Sequence, residues 1–147
     1  MRSLKDPCTE KMQVNGTPPR GSGAFGSVAS EWHGQIKVAV KRNHATTNYQ
    51  DIVREASFLG KIKHPFIPCI YHCDYDRFQN KAVLKMQYCG ECNLVEWIQA
   101  SLESDPDGTL RLAFMTCISS ALVYLHSECR IAHLDVTGDH VVVQTST

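Results

Sequence analysis

The amino-acid pattern is that of an α+β chain. Two pairs of β-rich runs, each pair broken by turn residues, bracket one amphipathic helix in the first half. After Gly90 the apolar spacing changes to the helical period and stays there for most of the remainder. The length, 147 residues, fits one domain or a piece of one. Lys plus Arg number 15 and Asp plus Glu also 15, so the formal charge is zero. No basic surplus exists to neutralise a phosphate backbone, and nucleic acid is not an expected partner. A hydrophobic share of 43% supports a sizeable core and excludes disorder for most of the chain.

Residues 1–19 mix charges with Pro7, Pro18 and Pro19 without sustained periodicity, which predicts a flexible lead-in. GSGAFGSVASEW then sets a Gly-rich turn before a short strand, and IKVAVKRN forms its partner through the turn His33-Gly34-Gln35. From Asn48 to Lys63 the positions Ile52, Ala56, Leu59 and Ile62 step by four, three and three, one face of a helix closed by Pro65. FIPCIYHCDY and KAVLKMQYC, separated by DRFQN, predict a second antiparallel pair. LVEWIQASL and LRLAFMTCISSALVYLHS follow as helices. The second carries the stripe Leu110, Phe114, Ile118, Leu122 and Leu125, and Leu112, Met115 and Ala121 widen it, so burial on several faces is expected. The linker SDPDGT precedes it, with Thr109 as the candidate N-cap. IAHLDVTGDHVVVQTST reads as a polar loop between two short apolar strands.

No uninterrupted apolar run approaches the ~18 residues of a bilayer span, and MRSLKDPCTE lacks the apolar stretch of a secretory signal. A cytoplasmic chain with no membrane partner is the expectation, and its seven cysteines are expected to be reduced.

Chemistry concentrates at a few positions. Gly21, Gly23 and Gly26 follow G-x-G-x-x-G, where missing side chains let backbone N–H groups approach phosphate oxygens. A dinucleotide fold would need a helix directly after these glycines, and strand-like SVASEW stands there instead. Lys41 shares a strand face with Ala39, and Glu55 lies beside the apolar face of the following helix, within reach of the Lys41 ammonium. Cys69 with Cys73 and Cys89 with Cys92 give C-x₃-C and C-x₂-C, an alternative zinc reading against ordinary buried or hinge thiols.

In order and spacing these segments resemble a eukaryotic-type protein kinase domain of the Ser/Thr type. GSGAFGSV is similar to the Gly-rich loop, VAVK to the third-strand Lys motif, and REASFLGKIKHPFI to the helix with the ion-pair Glu. LKMQYCGECNLVEWI resembles the strand and hinge between the lobes, and YLHSECRIAHLDVTGDHVVV the catalytic loop. HLD, AFGSV and the HG before VAVK resemble Mos-like or Raf-like relatives. The resemblance implies a five-stranded antiparallel N-lobe sheet with one helix, then the first helices and catalytic loop of the helical C-lobe. It divides the chain into a lead-in at 1–19, an N-lobe at 20–88, a hinge at 89–92 and a partial C-lobe at 93–147.

It also implies ATP as cofactor and a protein substrate or partner. Gly21, Ser22, Gly23, Ala24, Phe25 and Gly26 would cover the phosphates, with Val28 and Ala39 above the adenine and Val142 below it. Lys41 would contact the α- and β-phosphates while paired with Glu55. Met86 would be the gatekeeper, and Gln87 to Cys89, Tyr88 among them, the hinge backbone. Asp135 would accept the proton of the substrate hydroxyl. His133 and Leu59 match an apolar stack.

Four departures from that pattern stand out. Leu134 replaces the Arg of H-R-D, Thr137 the usual Lys, and His140 the metal-binding Asn, so the Mg²⁺ of the family is poorly served. The chain also stops at Thr147 before any D-F-G, so an isolated chain is expected to transfer phosphate poorly. A non-catalytic nucleotide-binding or interaction module is the alternative.

Overall fold

The structure is a computed structural model that describes residues 21–23, 26–101 and 105–144, with side chains from Gly26 onward. The lead-in at 1–19, Ala24 and Phe25 lie outside the described residues, as does the side chain of Ser22. A division between Tyr88 and Cys89 separates two compact units.

The first unit is an antiparallel sheet with a helix on it. Its strands are β1 (Gly21–Gly23), β2 (Gly26–His33), β3 (Ile36–Arg42), β4 (Ile70–Asp76) and β5 (Lys81–Gln87). They lie in the order β1-β2-β3-β5-β4. Gly34, at φ +64, supplies the left-handed residue that lets β2 turn directly into β3. Helix α1 spans Tyr49–Leu59, and its N-cap Asn48 accepts a hydrogen bond from the Gln50 N–H through Oδ1 (2.9 Å). Ile52 on α1 is fully buried against Ala82 and Leu84 of β5.

The sequence reading carried this helix to Lys63, and the structure ends it at Leu59. Past Gly60 the backbone bonds tighten from the i−4 to the i−3 carbonyl, Lys61 to Phe58 and Ile62 to Leu59. That turn still seats Ile62 in the interior, at 7% exposure, which is why the apolar spacing runs beyond the helix.

The second unit holds the short ladder β6 (Cys92–Asn93) with β7 (Val142–Val143), and helices α2 (Leu94–Ser101) and α3 (Thr109–Ser127). Its core is Cys92, Leu94, Trp97 and Val143, with Ile98, Leu110, Phe114, Ile118 and Val141 against it. The Trp97 and Phe114 rings meet edge to face at 4.8 Å. Gly90, at φ +135, passes so close to the Val143 carbonyl that an added Cβ would lie 2.6 Å from its oxygen.

Four expectations need correction here. Thr109 is inside α3 and is not its cap. Gly108 occupies the N-cap with φ +72, and the buried Asp105 carboxylate accepts from the backbone N–H groups of Leu110 (3.0 Å) and Arg111 (3.2 Å) and from Arg111 Nε (3.0 Å). Along α3 only Leu125 is buried, while Leu112, Met115 and Val123 are exposed, because the Trp97 core takes up only the Leu110-Phe114-Ile118 side. Its best 18-residue window has a mean hydropathy of 1.3, so α3 is by length and composition apolar enough to cross a membrane. Counting uninterrupted apolar runs missed this, since Thr and Ser interrupt runs at little cost in mean hydropathy. Finally, Cys92 is disulfide-bonded, against the expectation of reduced thiols, whereas Cys69, Cys73, Cys117 and Cys129 carry free thiols.

Candidate functional site

In the first unit Val28, Ala39, Lys41 and Met86 share one sheet face. The β1–β2 register sets Gly21 opposite Val28, Ser22 opposite Ser27 and Gly23 opposite Gly26. Gly26 has no room for a side chain, because an added Cβ would collide with the Arg42 carbonyl oxygen of the neighbouring strand. Val28 stands opposite Lys41, and Ala39 opposite Met86. Cross-strand partners and residues two apart point to one side, so Val28, Ala39, Lys41 and Met86 line the same face.

Helix α1 lies on that face. Packing of Ile52 against Leu84, the cross-strand partner of Lys41, brings Glu55 over β3 one turn later. Lys41 Nζ lies 2.6 Å from Glu55 Oε2, with the two side chains 20% and 35% exposed. Fourteen residues of chain thus close into a charge-assisted hydrogen bond. Cys73, at the edge of this core, has its thiol pushed up by burial, and then by the carboxylates of Asp74 and Glu55.

A knot of two asparagines, which the sequence reading missed, fixes the approach to α1. Asn43 Oδ1 accepts from the Ala82 N–H at 2.7 Å, and its Nδ2 donates to the carbonyls of Asn80 (2.9 Å), His44 and Thr47. Asn80, left-handed at φ +52, returns Nδ2 to the Thr47 carbonyl and accepts from the Tyr49 N–H, the first residue of α1. The end of β3, the β4–β5 turn and the start of α1 are tied at one point. Tyr88 is held as well, since Lys37 Nζ donates to its hydroxyl at 3.1 Å and lies 4.2 Å from its ring centroid.

In the second unit Asp135 sits on an irregular segment. The two short apolar strands expected around it reduce to one, β7, because positive φ at Arg130 (58) and Leu134 (62) breaks extended geometry before Asp135. Leu134, in the Arg position of the motif, is 93% exposed. The Asp135 N–H donates to His133 Nδ1 at 3.4 Å. His140 Nδ1 lies 3.0 Å from the Asp135 carbonyl oxygen and 3.3 Å from Oδ2. Val142, 45% exposed, is on β7 opposite Asn93.

These residues do not suit Mg²⁺, a hard cation that takes oxygen ligands. His140 offers only nitrogen at its position, and Nδ1 is already turned toward two oxygens of Asp135. Among the described residues no group of three or more His, Cys, Asp or Glu could hold a metal ion.

Comparison with known proteins identifies a family for the chain. The family model described as protein kinase domain matches residues 19–147. Serine/threonine-protein kinase TAO3 of Gallus gallus is 29% identical over 133 residues, covering 84% of this chain and 14% of that protein. Serine/threonine-protein kinase ULK1 of Homo sapiens is 29% identical over 133 residues, covering 84% and 12%. Wall-associated receptor kinase-like 14 of Arabidopsis thaliana is 28% identical over 131 residues, covering 84% and 18%. The chain spans less than a fifth of the length of each of these three relatives.

Proposed function

The chain belongs to the protein kinase domain family, and on that premise we propose that it binds ATP and transfers the γ-phosphate to serine or threonine hydroxyls of a protein. The ion pair between Lys41 and Glu55 carries this reading. A lysine on the inward face of a sheet needs a partner, and a carboxylate at 2.6 Å holds the ammonium in one orientation. An ammonium so held can meet the α- and β-phosphates, while the backbone N–H groups of Gly21, Gly23 and Gly26 supply uncharged donors to phosphate oxygens. Asp135 is exposed, as a base that must reach a protein hydroxyl has to be. His140, with nitrogen donors only, is unsuited to Mg²⁺.

His140 also favours a second reading, a non-catalytic module that binds nucleotide or a partner protein. The two readings separate experimentally. ATP should raise the melting temperature of the whole chain with little dependence on Mg²⁺, and Lys41→Met should remove the shift. A shift that survives Lys41→Met, or that requires Mg²⁺, overturns the binding scheme. Transfer of labelled γ-phosphate to a Ser/Thr-rich acceptor protein, abolished by Asp135→Asn, supports the enzyme. Transfer insensitive to Asp135→Asn removes Asp135 from the base role, and ATP binding without transfer leaves the non-catalytic module.

A further inference from the structure

Asp135 is flanked by two imidazoles that meet it through the same ring atom with opposite roles. On one side the Asp135 backbone N–H, which can only donate, points to His133 Nδ1 at 3.4 Å. His133 must therefore present a bare Nδ1 and carry its proton on Nε2. On the other side His140 Nδ1 faces the Asp135 carbonyl oxygen at 3.0 Å and carboxylate Oδ2 at 3.3 Å. Both are acceptors, and a bare Nδ1 would set its lone pair against two negative oxygens. The nitrogen must carry hydrogen and share it between them.

We propose that His140 is a positioning residue for Asp135, holding hydrogen on Nδ1 and clamping the backbone carbonyl and the carboxylate together. The identification of Asp135 as the base comes from the functional reading above; the clamp itself does not depend on nucleotide. Two features of the segment call for such a clamp. Leu134, directly before Asp135, is left-handed at φ 62 and 93% exposed, so its own side chain has nothing to hold it there. The Asp135 side chain is 68% exposed, so packing does not orient its carboxylate either. His140 is fixed from the other direction by the 3₁₀ turn Gly138–His140, where its N–H donates to the Thr137 carbonyl at 3.1 Å.

The chemistry explains how an imidazole can stand at this position. Its Nδ1 is separated from Cβ by one ring carbon, as the amide nitrogen of asparagine is separated by its carbonyl carbon, so the two side chains carry a donor at the same reach. Asparagine adds an amide oxygen and histidine does not. His140 thus keeps the donor and forgoes the hard oxygen ligand.

The test is nitrogen-resolved NMR of the full chain labelled with ¹⁵N and ¹³C, without nucleotide. Correlations to ring nitrogens are assigned to His140 by their disappearance in His140→Asn and His140→Phe. A protonated Nδ1 at His140 and a bare Nδ1 at His133 are expected; a bare Nδ1 at His140 overturns the proposal. The Asp135 carboxyl ¹³C signal should stay near its native position in His140→Asn, which retains the donor, and move in His140→Phe, which retains only the ring shape. An Asp135 signal unmoved in His140→Phe, or moved equally by both substitutions, also overturns it. Should His140→Phe fail to fold, the tautomer and the Asn variant still decide. Failure of the clamp leaves ATP binding standing, and failure of ATP binding leaves the tautomers unchanged.

Discussion

At Gly26 the carbonyl oxygen of Arg42 occupies the space a Cβ would need, because β2 and β3 are in register from Ser27–Arg42 to His33–Ile36. The neighbour is backbone, which cannot swing aside as a flexible side chain can. Gly26→Ala should therefore cost about 1–3 kcal/mol, in the range of overpacking, and weaken ATP binding by opening the strand pair beside the candidate phosphate loop. Chemical denaturation and a thermal-shift titration read the two effects, and a variant as stable as the parent would show that the strands have slack. Strand period two placed Lys41 on the inward face, and helix period placed Glu55 beside the apolar stripe, so this pair could be read from the sequence. Asn43 and Asn80 could not. Each lies next to turn residues and reads as ordinary loop chemistry, and only their distance of 37 positions, closed by the fold, makes them a knot.

The two long helices show how far local pattern reaches. In α1 the local rule holds, since Asn48 caps the helix it precedes. In α3 the cap comes from Asp105, five residues before the first N–H it accepts, and a reading that inspects only adjacent residues selects Thr109 instead. The Leu110 N–H, then the backbone and guanidinium of Arg111, hold the Asp105 carboxyl below the ordinary aspartate range despite its burial. Its folded pKa lies under its unfolded one, so its contribution is complete above the unfolded value and fades as pH falls through the depressed one. Asp105→Asn should lower the melting temperature at neutral pH, and the gap from the parent should close as acid protonates the native carboxyl. A gap that stays constant from neutral pH into strong acid would show that the charge plays no part.

Among the described residues there are two small cores, one around Ile52, Ala82 and Leu84 and the other around Cys92, Leu94, Trp97 and Val143. The second core uses α3 on one side only, so the apolar breadth that predicted burial all round belongs partly to surface. Periodicity reports which residues are apolar; it does not report how many partners a helix meets. Neighbouring residues of α3 on its two sides should therefore respond differently to substitution. Phe114 meets Trp97 edge to face at 4.8 Å, and Phe114→Ala should destabilise toward the lower end of the ~3–5 kcal/mol of buried aromatic truncations, since Phe114 is only partly buried. Leu112 is 70% exposed and Met115 57% exposed, and changing both to Lys should shift stability by no more than about 0.5 kcal/mol. The same double substitution should lower the binding of a hydrophobic dye to the native chain, because it removes apolar surface that water already reaches. A large loss of stability from the two lysines would mean that this face is covered in solution, and the division of α3 into a packed side and an open side would fail.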